Sequence, residues 1–190
     1  MLKDTDTYHK LITAAAACFA EKGFSATSVR EISTRAGISQ GAMYTYFKSK
    51  NELIEAIVLE EQNSALTAHD APYTCSHFGR ICTQVASCIS DVGYPVTHLL
   101  WVEIIAESSR NQELKKTFIS SDKIMRQGIA AIIEKGIAAG EFRRNINTEE
   151  ITIILFALID GLIARKAINP AFSLIKDVPT FRDLIAKLLM

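Results

Sequence analysis

The chain has little of what most enzymes and exported proteins need. Its four histidines, His9, His69, His77 and His98, are scattered. No H-E-x-x-H, Glu-x-x-His pair, phosphate-cradling glycine loop or nucleophile elbow occurs in it. Those absences exclude the common zinc, di-iron, P-loop and serine-hydrolase chemistries; neither catalysis nor a metal nor a cofactor is expected. The four cysteines (Cys18, Cys75, Cys82, Cys88) form no C-x-x-C pair, and three of them lie in apolar helical patterns. They read as small buried side chains in a reducing compartment, with a Cys82–Cys88 disulfide or a redox sensor as the alternative. The opening MLKDTDTYHK has no apolar signal core, so export is not expected. The most apolar run, Ile151 to Ile163, contains Asp160 and Gly161 and is too short to span a bilayer. A cytoplasmic location without a membrane partner follows as the expectation.

Charge of one sign is also missing, since 21 Lys and Arg balance 21 Asp and Glu. The balance is uneven along the chain. Residues 1–50 carry seven cations (Lys3, Lys10, Lys22, Arg30, Arg35, Lys48, Lys50) against Asp4, Asp6, Glu21 and Glu31, and the remainder is acidic by the same margin. A polyanion-binding head on an acidic body would have this asymmetry.

What is present is a 190-residue chain with 48% hydrophobic and 22% charged residues, an ordinary globular composition able to bury one or two small cores. Apolar residues recur at helical spacing and no strand-like alternation persists, so the fold is expected to be all-α. A first helix starts near Thr7, with Leu11, Ile12, Ala15, Cys18 and Phe19 on one face, and ends at Lys22-Gly23. Ser28 and Glu31 form a capping-box pattern before a short helix, Val29–Ala36; Gly37 ends it, and Ser39 caps another, Gln40–Tyr46. Two helices of about eight residues joined by a short glycine-containing turn make a helix-turn-helix.

Ser49 and Glu52 open a longer helix to about Leu66, broken by His69-Asp70-Ala71-Pro72. Further helices are expected from about Ser76 to Ser90, closed by Gly93 and Pro95, from about Val96 to Arg110, and from an Asn111 cap to Ala139. Gly140 stops the last of these. Asn147 caps Thr148–Ile168, Pro170 ends it, and Pro179 opens a final helix in its first turn. The expected organisation is a three-helix DNA-binding domain over residues 1–50 and a helical-bundle domain for ligand binding and dimerisation over 51–190.

The segment from Gly37 to Leu53 is the most informative. A recognition helix with Gly41 and Ala42 in its first turn can approach a phosphate or base edge closely. Ser39 and Gln40 can donate hydrogen bonds, and Gln has the geometry for a bidentate adenine contact. Thr45 offers a methyl or a hydroxyl. Tyr44, Tyr46, Lys48 and Lys50 suit phosphate contacts. Met43 and Phe47 belong to the core, and for Tyr46 packing and DNA contact are equally open.

These residues together resemble the TetR family of bacterial regulators. The match runs through Phe19-x4-Phe24 around Gly23, Thr27-Ser28-Val29-Arg30-Glu31-Ile32, Ala36-Gly37-Ile38-Ser39-x-Gly41, Tyr44-x-Tyr46-Phe47 and Ser49-Lys50-x-Glu52-Leu53. By this resemblance Thr27, Ser28, Gln40, Gly41, Tyr44, Tyr46 and Lys50 map to DNA-touching positions. Thr45 departs from the family's usual His or aromatic residue. Leu100-Trp101-Val102-Glu103-Ile104-Ile105-Ala106-Glu107 with Arg110-Asn111, then Ala138-Ala139-Gly140-Glu141-Phe142, looks like the C-terminal domain of BetI-type members. The resemblance implies a homodimer on near-palindromic double-stranded operator DNA, released by a small-molecule effector, in a bacterial cytoplasm and at the nucleoid when DNA-bound. Control of efflux or catabolism by repression is the usual role; an activator on the same scaffold is the alternative.

Dimerisation also has support from the residues themselves. The segment Thr148–Ile168 is apolar nearly all round and needs cover on every side. Ile151, Leu155, Leu158 and Leu162, with Leu184 and Leu188 from the last helix, are the expected interface of a two-fold four-helix contact. For the effector the candidates are His98, Trp101, Glu103, Glu107, Phe118, Met125 and Phe156. Glu103 beside Trp101 in an apolar cavity would suit a hydrophobic cation. The rival from another class is a helical protein-interaction module, which would lack the steep salt dependence of DNA binding.

Overall fold

A computed structural model of the chain describes residues 5–90, 92 and 95–190, including the helical placement but not the side chains of His69 and Asp70. The helices are α1 (Thr5–Lys22), α2 (Val29–Ala36), α3 (Gln40–Tyr46), α4 (Lys50–Asp70), α5 (His77–Ser90), α6 (His98–Arg110), α7 (Gln112–Ala138), α8 (Thr148–Ile168), α9 (Leu174–Asp177) and α10 (Phe181–Leu189). Among the described residues there is no strand, and none of the helices is long and apolar enough to cross a membrane. The all-α expectation holds, with an N-terminal helix-turn-helix followed by a helical C-terminal part. Gly93, expected with Pro95 to close α5, lies outside the described residues, as do Lys3 and Asp4.

Local signals place most of the helix ends. The Ser28 hydroxyl accepts from the Glu31 amide at 3.2 Å, and the Glu31 carboxylate accepts from the Ser28 amide at 2.9 Å, a complete capping box. Gly37 adopts φ +71° after α2, the left-handed turn that glycine reaches without steric cost. Ser39 accepts from Ala42 at 3.1 Å, Asn111 from Leu114 at 3.2 Å and Asn147 from Glu150 at 3.2 Å. At α4 the box is displaced by one residue: Ser49 accepts from the Glu52 amide, but the Glu52 carboxylate reaches back to Lys48. Pro179 stands two residues ahead of α10 and not in its first turn, because Thr180 occupies the N-cap. The single turn α9 falls in a stretch expected to be loop.

The chain divides into two compact units, Met1–Asn63 with Gly93–Ser121, and Ser64–Val92 with Asp122–Met190. The grouping differs from a cut at residue 50, because the helix-turn-helix shares its unit with α6. In the first unit Leu11, Ile12, Phe19, Ile32, Met43, Leu53, Ile54 and Ile57 are fully buried, together with Leu100 and Ile104 of α6. Helix α1 packs on both α2 and α6.

In the second unit α5 packs against α8, α9 and α10. Ile81, Val85 and Ile89 of α5 meet a core that includes Leu155, Ile159, Ile163 and Ile185. Gly136 lets Phe142 lie directly on α7, since a Cβ there would sit 2.2 Å from the ring. Cys82 is buried as expected, and so is Cys18 in the other unit; Cys75 and Cys88 are exposed, and none of the four forms a disulfide. Cys75 stands outside the helices, and Cys88 lies on the outer face of α5.

Helix α8 presents a buried stripe of Thr152, Leu155, Ile159 and Ile163 to this core. Leu155 is 0% exposed within one chain, so it is a core residue and not an interface one. Three- and four-residue spacing carries it onto the inner face. The remaining expected positions Ile151, Leu158, Leu162 and Leu188 are half-buried and Leu184 is exposed, joined on the outer side by exposed Ile153 and Ile154.

The start of α5 is held from a distance. The Glu141 carboxylate accepts from the His77 amide at 2.9 Å and the Phe78 amide at 3.0 Å, and it lies 2.9 Å from His77 Nδ1. Burial pushes this carboxyl up, but the Phe78 and His77 donors outweigh it and hold the group below its ordinary value of 4.5. A depressed carboxylate stabilises the fold above its ordinary pKa, and that contribution is lost as pH falls through the depressed value. In thermal melts the Glu141→Gln chain is expected to be less stable than wild type at neutral pH, the gap closing below about pH 4. A gap that stays constant into acid would rule out the charged cap.

Candidate nucleic-acid interface

The geometry of the head follows from α3 having two sides. Met43 is fully buried and Phe47 is 5% exposed, while Gln40, Gly41, Tyr44, Thr45 and Lys48 are all exposed. Gln40, Gly41, Tyr44 and Thr45, spaced one, four and five apart, make one continuous outward face on α3, and Lys48 follows beyond the extended C-cap Phe47. Tyr44 is 53% exposed, a large aromatic with its ring in solvent. A methyl at position 41 would meet nothing nearer than the Ser39 hydroxyl at 4.0 Å. Nothing within the head therefore requires glycine in this helical turn, where it costs about 0.5–1 kcal/mol relative to alanine. The open space in front of Gly41 is what the residue provides.

Ser28 and Ser39 are exposed at the two N-caps, and Ala42, Tyr46 and Lys50 are half-buried. Two positions expected to reach DNA are turned inward. Thr27 is 2% exposed, and its hydroxyl donates to Gly23 O at 2.8 Å and Cys18 O at 3.1 Å. Lys50 sends its ammonium to three carbonyls of the turn between α1 and α2: Phe24 O at 2.8 Å, Thr27 O at 3.1 Å and Ser25 O at 3.2 Å. It also lies 4.5 Å from the centroid of the Phe24 ring. All three of its donors are occupied, so Lys50 braces the head. Its place in the motif gave no sign of this, because the carbonyls it binds lie more than twenty residues earlier.

Around this face the charges are mostly paired. Arg35 makes a two-pronged contact to Glu21, both distances 2.7 Å. Lys22 binds Glu31, and that ion pair, with the Ser28 cap, holds the Glu31 carboxyl down to about 2. Lys48 remains exposed at the foot of α3.

The effector candidates are divided between the two units. Trp101 is 6% exposed, and its ring lies 5.8 Å from that of half-buried Phe118. His98 opens α6 and is half-buried. Glu107 is 6% exposed, with its carboxylate 2.7 Å from Arg110 Nε. Glu103 accepts from the Phe24 amide at 2.6 Å and lies 3.8 Å from Arg110 Nη2. Both carboxylates are thus engaged inside the first unit, and the expected role of Glu103 as counter-charge to a cationic ligand loses its basis. Met125 and Phe156 are half-buried in the second unit.

Comparison with known proteins agrees with this geometry. The model of bacterial regulatory proteins of the tetR family matches residues 11–57, and the BetI-type transcriptional repressor C-terminal model matches residues 86–189. The chain belongs to the TetR family. Among curated relatives it is 30% identical over 164 residues to the HTH-type transcriptional regulator UidR of Escherichia coli, covering 83% of this chain and 80% of that protein. It is 23% identical to the HTH-type transcriptional regulator TtgR of Pseudomonas putida, covering 94% and 89%. Salmonella enterica GusR has a similar solved structure, with TM-score 0.86, 28% identity and coverage of 100% and 98%. The transcriptional regulator FadR from Bacillus subtilis, solved in complex with stearoyl-CoA, shares the fold at TM-score 0.78 and 21% identity, covering 96% and 100%. These relatives are transcriptional regulators and not enzymes.

If Lys50 braces the turn, removing its charge weakens the head as a fold. The Lys50→Met chain is expected to lose about 1–3 kcal/mol in denaturant unfolding, the scale of hydrogen bonds made by a charged group. An unchanged unfolding midpoint would show that the ammonium contributes nothing there.

Proposed function

We propose that this chain is a ligand-responsive repressor that binds a near-palindromic operator as a homodimer and is released by a small molecule. The observation that carries the reading is the outward face of α3, where an exposed tyrosine, Gln40, Thr45 and Lys48 surround a glycine that the head does not need. Such a face suits a duplex groove: Gly41 and Ala42 allow close approach, Gln40 and Thr45 meet base edges, and Tyr44 and Lys48 meet phosphates. Ser28, Ser39 and Tyr46 flank that face as further phosphate contacts. Functionally, residues 1–50 act as the DNA-binding head and 51–190 as the effector and dimerisation body, in a bacterial cytoplasm and on the nucleoid when DNA-bound.

The dimer rests on the outer side of α8. Ile151, Ile154, Leu158 and Leu162 repeat at three- and four-residue spacing along it, and Leu184 and Leu188 extend the apolar surface on α10. Two such faces related by a two-fold axis would cover each other and place two α3 helices on successive half-sites. For the effector, the Trp101–Phe118 ring contact supports a hydrophobic ligand; no cation recognition is assigned to Glu103.

Two measurements test this. Affinity for duplex DNA is expected to fall steeply as salt rises, and Lys48→Gln to reduce the slope of log affinity against log salt by about one. Binding without salt dependence would favour a protein-docking module. Sedimentation is expected to show a dimer for wild type and a monomer for Ile154→Glu, whose position is 37% exposed and so can take a charge without disturbing the fold. A dimer that survives that change would place the interface elsewhere.

A further inference from the structure

We propose that Glu103 is a positioning residue for DNA binding, its carboxylate fixing the turn from which α2 and α3 are carried. This rests on the DNA-binding reading above and adds a residue that touches no DNA. The turn begins where α1 ends at Gly23, whose φ is +80°. The next amide, Phe24 N–H, donates to Glu103 Oε1 at 2.6 Å across 79 residues. The Glu103 side chain is 23% exposed, so the bond is partly shielded from water, and a charge-assisted hydrogen bond of this length is a strong one. Gly23 makes room for it: a Cβ there would stand 3.3 Å from the same oxygen.

The rest of the turn is tied down by other contacts. Phe24 packs on Phe19 with ring centroids 5.3 Å apart, Lys50 holds the carbonyls, and Thr27 is pinned to Gly23 O and Cys18 O. Ser28, the next residue, starts α2, and α2 packs on α3. The Phe24 amide is thus linked to the recognition helix through Thr27, the Ser28 cap and the packing of α2 on α3. Losing the carboxylate oxygen at that amide therefore alters the seat of Tyr44 and Gln40 without altering either side chain. The other partner of Glu103 is Arg110, whose Nη2 is 3.8 Å away, and this contact offers the competing explanation of why the residue is there.

Two substitutions in the full-length chain separate the two. Glu103→Gln keeps an oxygen at full reach but loses the charge that faces Arg110. Glu103→Asp keeps the charge but is one methylene too short for the amide. The probe is the duplex that wild type selects from a random-sequence library, measured at fixed salt, with the Phe24 amide resonance followed by NMR. We expect Glu103→Gln to bind within about threefold of wild type and Glu103→Asp to bind about tenfold more weakly. In the Asp variant alone the Phe24 amide should lose its downfield shift and exchange faster. The reverse ranking would assign the residue to Arg110 and overturn the proposal, as would equal binding by all three chains or equal losses in both variants. If the Asp variant does not fold, weak binding by the Gln variant still overturns it. A wild-type chain that selects no duplex would remove the DNA-binding reading itself, and this assignment with it.

Discussion

The head of this protein depends on how one irregular turn, residues 23–27, has its backbone satisfied. A turn between two helices leaves amides and carbonyls with no ladder to join, and leaving them buried and unmatched is costly. Here the donor side is taken by a carboxylate, Glu103, and the acceptor side by an ammonium, Lys50. Neither charged group belongs to the turn: one comes from α6 and the other from the start of α4. Three segments far apart in sequence thereby meet at one point, with the Phe24 ring packed beneath the ammonium. That arrangement explains why the compact unit includes α6 as well as the helix-turn-helix, although a reading by motif alone ends the head near residue 50.

Most of the fold was legible because its signals are local. Ser28 with Glu31, Ser39, Asn111 and Asn147 each announce a helix within four residues, and each is found capping one. Gly37 and the apolar spacing of α1 are of the same kind. The inward side of α3 was also readable, since Met43 and Phe47 sit at core spacing. What could not be read was the partner of a long charged side chain. Lys50 in a Ser-Lys-x-Glu-Leu run looks like a phosphate contact, and Glu103 beside Trp101 looks like a ligand's counter-charge. The backbone groups they bind lie 23 to 79 residues away, and nothing in a local pattern encodes those. Thr27 misled for a related reason: a hydroxyl at the mouth of a DNA-binding helix can equally turn back onto its own turn.

Helix α8 shows a different limit. Its composition marks it as apolar nearly all round, but composition assigns no side to any residue. Leu155 and Leu158 differ by less than a turn, yet one is fully buried in the core of the chain and the other only half-buried. The proposed dimer would draw on the outer stripe of this helix. The opposite side of α8 packs on α5, which in turn carries α9 and α10.

The recognition helix has seven residues, one of them glycine, well short of the length at which a helix persists alone in water. It has no stability of its own to lend and exists because Met43 and Phe47 are held in the core. Local fraying and opening of the whole head should thus be nearly the same event for α3. Its internally bonded amides, from Met43 onward, would exchange with solvent at the rate set by collective opening, and the surface offered to DNA would be either fully formed or absent. Graded loosening, the usual behaviour of a short exposed helix, is closed to it.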